Sequence, residues 1–263
     1  MRRWKSCSYP ISTKTLKMLF ESYSLLFFVL LPMVSFLYSS VGHGGASGYL
    51  ALMALFSFPT PMMKQTALLL NLFVAGIAFY HYFKAGYFKK NLFLYFALGS
   101  VPASFLGGLL TIDPFLYKKI LGFLLFFAIG RIFLKKKDSS EVSHSANPIL
   151  ALCIGIGIGF FSGLIGIGGG IILSPVILLL NWGSMKEAAA VSALFIWVNS
   201  FSGLLGQWST GVSLEPIALL MVALAVFGGF FGGYAGSKKW NPRRLEYFLA
   251  LVLTSASLKL IFI

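Results

Sequence analysis

The sequence predicts an all-α polytopic membrane protein that contains two tandem homologous repeats of about five helical segments each. Three observations support this fold class. The chain has 263 residues, of which 58% are hydrophobic and 11% charged, whereas a soluble domain carries roughly 25% charged residues. Apolar runs reach the roughly 17 to 25 residues that a transmembrane helix needs. Similar stretches also return at an offset of about 122 to 125 residues, which indicates duplication.

Ten apolar segments divide the chain, and a polar linker separates the first five from the last five. The segments cover about residues 22–41, 46–58, 65–83, 92–111, 116–134, 148–163, 168–182, 187–205, 216–236 and 245–262. The predicted organisation is a basic N-terminal segment over 1–21, a first transmembrane repeat over 22–134, the linker over 135–147 and a second transmembrane repeat over 148–263. No clear cleavage site follows the first apolar run, so we expect it to be retained as a helix.

The clearest match between the repeats is VGHGGASGYL at 41–50 with IGIGGGIILS at 165–174. The segment that begins in each stretch is short. Residues 46–58 allow a helix of roughly 20 Å, whereas the hydrocarbon core of a bilayer is roughly 30 Å thick. We therefore expect two glycine-broken short helices that meet near mid-membrane.

The number of crossings decides how the repeats are oriented, and two topologies stay open. If each short segment crosses the membrane, each repeat has five crossings and the repeats are inverted. If each short segment is re-entrant, each repeat has four crossings and the repeats run parallel. The inverted arrangement is favoured, because midplane sites in broken helices are typical of it.

Charged residues lie at the ends of the apolar segments. The net charge is +14, and Lys and Arg cluster at segment ends, as in cytoplasmic loops and interfacial anchors. No nucleic-acid motif accompanies them, and no cofactor or metal site is expected. All seven Asp and Glu residues also fall at segment ends or in loops. This placement disfavours a cation carrier that uses carboxylates at mid-membrane.

The two glycine stretches are the candidate site. A non-helical backbone inside a bilayer leaves N–H and C=O groups without partners, and it is tolerated only where it is buried in protein or lines a wet cavity. Each stretch precedes a short helix, whose free N–H groups and partial positive charge suit an anion. Two such N-termini, one from each repeat, predict a binding site for an oxyanion.

The candidate binding residues are the glycines of the two stretches together with nearby polar side chains. They are Gly42, His43, Gly44, Gly45, Ser47 and Asn71 in the first repeat, and Gly166, Gly168, Gly169, Gly170, Ser192 and Asn199 in the second. His43 has three open roles: hydrogen-bond donor to the anion, carrier of a coupled proton, or partner of backbone groups. The glycines at 105–108 and 230–233 are expected to serve close helix packing instead.

Four stretches, SVGHGGASGYLALMALF, TALLLNLFVAG, SGLIGIGGGIILSPVILLL and VSALFIWVNSFSGLLG, together resemble the TauE/SafE family of sulfite exporters, also called TSUP anion permeases. The resemblance covers both repeats from about residue 24. It implies a permease for small sulfur-containing anions, such as sulfite or the organosulfonate sulfoacetate, and it implies that the candidate residues line the two halves of one site. We expect alternating access in a multi-pass protein of the cell inner (plasma) membrane. A homodimer is a candidate assembly.

Three other functions compete with this interpretation. An anion channel, or a permease for another small organic anion, would use the same scaffold. An intramembrane serine protease would use GASG at 45–48 with His81 as base, although a four-letter motif in a glycine-rich chain is weak evidence. A membrane scaffold without transport would bind no anion. We expect a transporter and not an enzyme.

Overall fold

The computed structural model describes residues 25–133, 145–211, 215–238, 254 and 257–261, and in this part of the chain the regular structure is helical. The helices are α1 (Leu25–Ser40), α2 (Ala46–Leu55), α3 (Thr60–Lys84), α4 (Lys90–Leu109), α5 (Pro114–Phe133), α6 (Pro148–Ile165), α7 (Gly170–Leu179), α8 (Met185–Ser209) and α9 (Ile217–Lys238). They correspond to the first nine predicted segments. Most of the tenth lies outside the described residues, as do the N-terminal segment and most of the linker. The predicted polytopic all-α class is confirmed.

Five of the described helices are long and apolar enough to cross a membrane, namely α3, α4, α6, α8 and α9. Local sequence explains where several of them begin. The side chain of Asn147 accepts hydrogen bonds from the first turn of α6, and Pro148 follows it. Ser184 and Glu187 form a capping box at the start of α8. Both are standard devices for starting a helix.

The helices α2 and α7 are half-length. Each has 10 residues, which corresponds to about 15 Å at about 1.5 Å per residue. Each begins after a glycine-rich interruption: the first break is residues 41–45, between α1 and α2, and the second break is residues 166–169, between α6 and α7. All residues of α2 from Ala46 to Ala54 are buried. This enclosure shields the interrupted backbone from lipid.

Glycine is required at the breaks because the chain turns through left-handed backbone conformations there. Gly42 and Gly45 have φ of 76° and 98°, and Gly166, Gly168 and Gly169 have φ of 89°, 76° and 80°. Another residue would lose roughly 1–2 kcal/mol in this conformation. Gly45 and Gly169 are the residues immediately before the half-helices.

The long helices α3 and α8 pack against each other at the centre. Around them, α1 packs on α9, α4 packs on α6 and α8, and α3 packs on α9. Exchange of the first four helices with the last four, α1 for α6 through α4 for α9, leaves this pattern of neighbours unchanged. A two-fold relation between the halves would produce such a pattern. The inverted orientation and the domain bounds stay predictions.

Glycine stripes bring the outer helices into backbone contact. A Cβ on Gly155 or Gly159 of α6 would lie 2.3 Å from a carbonyl oxygen of α4, and one on Gly232 of α9 would lie 2.1 Å from a carbonyl oxygen of α1. Gly107 meets the backbone of α6 in the same way, at 2.2 Å. The 105–108 and 230–233 stretches thus have the packing role that the sequence predicts.

Candidate functional site

The two breaks contact each other through His43 and Asn71. His43 belongs to the first break, and its Nε2 lies 3.2 Å from the carbonyl oxygen of Gly170, the first residue of α7. Its Nδ1 lies 2.9 Å from the carbonyl oxygen of Val41. Asn71 of α3 accepts a hydrogen bond from the N–H of Ala46 at 3.0 Å and donates one to the carbonyl oxygen of Ile167 at 3.5 Å. Residues from both halves of the chain therefore share one buried cluster.

Backbone N–H groups without partners surround this cluster. In the second break and the start of α7, the N–H groups of five successive residues, 167 to 171, form no hydrogen bond within the described part of the chain. Around the first break the same holds for residues 44, 45, 47 and 48. All nine residues are buried. Because buried N–H groups are nearly always paired in native proteins, this concentration marks a place for an acceptor.

The centre of the cluster has no room for larger residues at the glycines. A Cβ on Gly44 would lie 2.4 Å from Oδ1 of Asn71, and a Cβ on Gly168 would lie 2.4 Å from its Nδ2. The same two positions lie 2.9 and 2.8 Å from Cγ2 of Ile196 on α8. The glycines thus let Asn71 and Ile196 approach both breaks, and they keep the main chain accessible.

A chain of hydrogen bonds connects the first break to α8. Oγ of Ser174, in the second turn of α7, lies 3.2 Å from Nε2 of His43 and 2.8 Å from Oγ of Ser192. The predicted residue Ser192 therefore reaches the cluster through Ser174, which the sequence analysis missed. Ser174 lies four residues after the predicted Gly170 on α7, and residues four apart share one face of a helix. This spacing could have identified Ser174 from the sequence.

Asn199 lies apart from the breaks. Its Nδ2 donates to Oγ of Ser100 at 3.1 Å and to the carbonyl oxygen of Phe195 at 2.8 Å. Ser104 donates to the carbonyl oxygen of Asn199 at 2.8 Å. The bonds with Ser100 and Ser104 join α8 to α4, while Oδ1 of Asn199 is buried without a partner among the described residues. The two predicted asparagines therefore have different surroundings.

The other predicted residues contact groups outside the shared cluster. Oγ of Ser47 pairs with the hydroxyl of Tyr38. A Cβ on Gly42 would meet Ala189, and one on Gly45 would meet Tyr49. Gly166 packs on the backbone of Lys64, and Gly169 packs on Ile158 and Phe195. These four glycines shape the turns and the packing, whereas Gly44, Gly168 and Gly170 border the shared cluster.

Two further buried serines border the second break. Ser162 of α6 and Ser200 of α8 are 1% and 0% exposed, and neither hydroxyl has a hydrogen-bond partner among the described residues. Ser200 follows Ser192 and Ile196 at intervals of four residues, so the three share one face of α8. That spacing was a signal for Ser200. Ser162 is three residues before a glycine stretch, and no sequence pattern singles it out.

Charged side chains lie around the cluster rather than in it. Lys64 packs against Gly166, but its ammonium group donates to the carbonyl oxygens of Gly108 and Leu110, at 3.4 and 3.1 Å. Lys259 donates to the carbonyl oxygen of Leu55, at the C-terminus of α2, at 2.8 Å. A cation there stabilises the helix dipole that makes the N-terminus of α2 positive. Among the described residues, no His, Cys, Asp and Glu side chains group to hold a metal ion.

Ser47 and His81, the pair that a serine protease would need, have separate partners. Ser47 bonds to Tyr38. His81, in the last turn of α3, has its ring against the rings of Phe230 and Tyr234 of α9. The described contacts therefore offer no support for a nucleophile and base at these positions.

Comparison with known proteins agrees with the helical architecture. A sequence profile of the family described as "Sulfite exporter TauE/SafE" matches residues 26–260. A probable membrane transporter protein of Sinorhizobium fredii is 35% identical over 235 residues, which cover 87% of this chain and 94% of that protein. No solved structure matches the chain.

Two more distant relatives carry the same description. A probable membrane transporter protein of Methanocaldococcus jannaschii is 29% identical over 170 residues, which cover 59% of this chain and 61% of that protein. One of Bacillus subtilis is 30% identical over 126 residues, which cover 48% and 46%. The matched proteins are described as transporters, so the expectation of a transporter rather than an enzyme is confirmed.

Proposed function

Because this chain belongs to the TauE/SafE sulfite exporter family and is a multi-pass membrane transporter, we propose that it carries a small sulfur-containing anion. The candidates are sulfite and an organosulfonate such as sulfoacetate. The anion binds between the N-termini of α2 and α7, and the candidate residues of both repeats form the two halves of this site. The proposed location is the cell inner (plasma) membrane.

The observation that carries this proposal is the concentration of unpaired, buried N–H groups where the breaks meet. They belong to residues 44, 45, 47, 48 and 167–171. N–H groups can only donate hydrogen bonds, so a ligand that binds them must accept hydrogen bonds. The half-helices add about half a positive charge each at their N-termini. An oxyanion with several acceptor oxygens meets both requirements.

Transport by alternating access follows from the position of the breaks. His43 and Asn71 each connect the first break with residues of the second half. A rocking motion of the bundle that contains α1 and α9 against the bundle that contains α4 and α6 would remake these few contacts and leave the packed glycine stripes within each bundle intact. Broken helices at the contact between two halves are the usual setting for such a motion.

A proton is the proposed coupling ion, and His43 is its proposed carrier. Both ring nitrogens of His43 lie within hydrogen-bond distance of carbonyl oxygens, Val41 at Nδ1 and Gly170 at Nε2. Ser174 is the alternative partner of Nε2. A neutral ring can donate to one carbonyl and accept from Ser174, whereas a charged ring can donate to both carbonyls. The proton would thereby change the bond between the breaks.

Flux measurements in proteoliposomes test the proposal. We expect saturable sulfite uptake that sulfoacetate or thiosulfate inhibits more strongly than chloride does, together with accelerated exchange when unlabelled sulfite is present on the far side. Acceleration of this kind distinguishes a carrier from an anion channel. If neither sulfite nor any of these sulfur anions binds or moves, the proposed substrate class is wrong.

Light scattering on the detergent-solubilised protein tests the candidate homodimer.

A further inference from the structure

Ser162 and Ser200 are buried polar side chains that the fold itself does not use. Both are at most 1% exposed, and neither hydroxyl has a hydrogen-bond partner in the part of the chain that the structure describes. A serine in a helix commonly returns its hydroxyl to a carbonyl of its own helix, as Ser209 does to Gly206 at 2.7 Å. Ser162 and Ser200 do not, although an unpaired buried hydroxyl is unfavourable. Their hydroxyls are therefore available to a ligand.

Both serines border the second break. A Cβ placed on Gly168 would lie 3.3 Å from Oγ of Ser200, and a Cβ placed on Gly169 would lie 3.6 Å from Cβ of Ser162. The two serines come from different helices, α6 and α8, and approach adjacent glycines. The same stretch of backbone holds the five unpaired N–H groups of residues 167–171. The Ser200 hydroxyl and the amide donors thus converge on the start of α7, and Ser162 lies beside them.

We infer that Ser162 and Ser200 bind the oxygen atoms of the transported anion at the N-terminus of α7. This inference rests on the proposed function and adds two residues to its site. A sulfite or sulfonate group has three oxygens, each of which accepts hydrogen bonds. The hydroxyls supply two donors from outside the break, and the N–H groups of the break supply the others. The second break is then the half of the binding site that holds the anionic group.

The charge around these donors fits an anion held by neutral groups. None of the described Lys, Arg, Asp or Glu side chains forms a hydrogen bond with residues 166–171, Ser162 or Ser200. Hydrogen bonds from neutral donors and the helix dipole therefore supply the attraction. Such a site releases its anion more readily than one built around a lysine, which suits a carrier.

Alanine variants separate this role from a structural one. Ser200→Ala removes a hydroxyl that bonds to nothing in the protein, so thermal stability without ligand should stay unchanged. The loss of a hydrogen bond to a charged ligand should raise the KM for sulfite about tenfold. Ser162→Ala should act in the same direction, and the double variant should show the largest increase. The readouts are sulfite uptake in proteoliposomes and thermal unfolding in detergent with and without sulfite.

Ser202→Ala is the matched control on the same helix. Ser202 is also buried, but it donates to the carbonyl oxygen of Val101 at 2.6 Å. Its replacement should lower thermal stability and leave the KM for sulfite unchanged. If wild-type protein moves sulfite but Ser162→Ala and Ser200→Ala leave its KM unchanged, the inference is wrong while the proposed function stands. If wild-type protein neither binds nor moves sulfite or a sulfonate, the proposed function fails first, and this inference fails with it.

Discussion

The first and second breaks have similar backbones and different side-chain partners. Each ends with a glycine in the left-handed region, Gly45 or Gly169, and each leads into a helix of 10 residues. Past the half-helices, Ser57 and Asn181 both have positive φ, at 59° and 52°. The helices that follow, α3 and α8, both have 25 residues. Main-chain geometry is therefore closely similar between the halves at these positions, whereas Gly168 has a positive φ and its counterpart Gly44 does not.

The side chains at matching positions are not shared. Counted back from the first residue of each half-helix, His43 corresponds to Ile167. Counted from the starts of α3 and α8, Asn71 corresponds to Ile196. As a result, the N–H of Ala46 is occupied by Asn71, while the N–H of Gly170 has no partner and Ile196 lies beside it. The first half thus supplies the titratable and amide side chains, and the second break supplies the longer run of N–H groups without partners in the described part of the chain.

Substitution of Gly168 is expected to have the largest effect. In Gly168→Ala the Cβ would lie 2.4 Å from Nδ2 of Asn71 in a left-handed backbone. Strain of about 1–2 kcal/mol and overpacking of about 1–3 kcal/mol should add, and sulfite transport should be abolished. Thermal unfolding in detergent and proteoliposome flux measure the two effects.

Substitutions of two other glycines separate backbone strain from overpacking. Gly86 has φ of 81° with open space around it, so Gly86→Ala should show the strain alone. Gly157 of α6 has neither strain nor neighbours within 4 Å, so Gly157→Ala should be neutral or stabilise by up to about 1 kcal/mol. Wild-type flux in Gly168→Ala would contradict the assigned geometry.

Ile196→Asn tests the difference between the breaks most specifically. An amide at this position would reach the N–H of Gly170, as Asn71 reaches Ala46, and would compete with the anion. We expect the KM for sulfite to rise about tenfold, since one donor to a charged group is lost. Ile196→Val is the control: it should cost about 0.5–1.5 kcal/mol of stability with no change in KM. A lower KM in Ile196→Asn would mean that the anion does not use that N–H group.

The two asparagines should respond differently to replacement by alanine. Asn71→Ala frees the N–H of Ala46 and should cost about 0.5–2 kcal/mol, as loss of a helix cap does, and it should raise the KM for sulfite. Asn199→Ala breaks the bonds to Ser100 and Phe195, so it should reduce thermal stability more and the KM less. Paired measurements of flux and unfolding on both variants check this order. If Asn71→Ala and Asn199→Ala raise the KM equally, both asparagines contribute to the binding site to the same extent.

His43→Gln should have the smallest effect at symmetric pH. Glutamine can keep one of the two contacts of the ring, so flux should fall only about two- to fivefold, which corresponds to one hydrogen bond of about 0.5–1 kcal/mol. A proton gradient that accelerates sulfite uptake by the wild type should no longer do so in the variant. If a proton gradient still accelerates sulfite uptake by the His43→Gln variant, His43 does not carry the coupled proton.

The backbone was predictable from the sequence because its determinants are local. Glycine spacing predicted both breaks and both half-helices, and the uninterrupted apolar runs predicted α3 and α8. The contacts across the breaks were not predictable. Whether Asn71 or Asn199 reaches a break depends on how α3 and α8 are rotated against each other, since both are apolar on several faces. Helical spacing indicated Ser200, whereas Ser162 stands out only once its lack of a partner is known, and that requires the packed structure.

The most direct test of the account observes the glycine amides of the breaks during anion binding. Protein labelled with 15N-glycine and reconstituted in nanodiscs would be titrated with sulfite, with signals identified by single glycine substitutions. The account predicts saturable shifts of the Gly168, Gly169 and Gly170 amide resonances, and smaller ones for Gly157 and Gly86. Saturable binding of sulfite that leaves the resonances of Gly168 to Gly170 unmoved would contradict it.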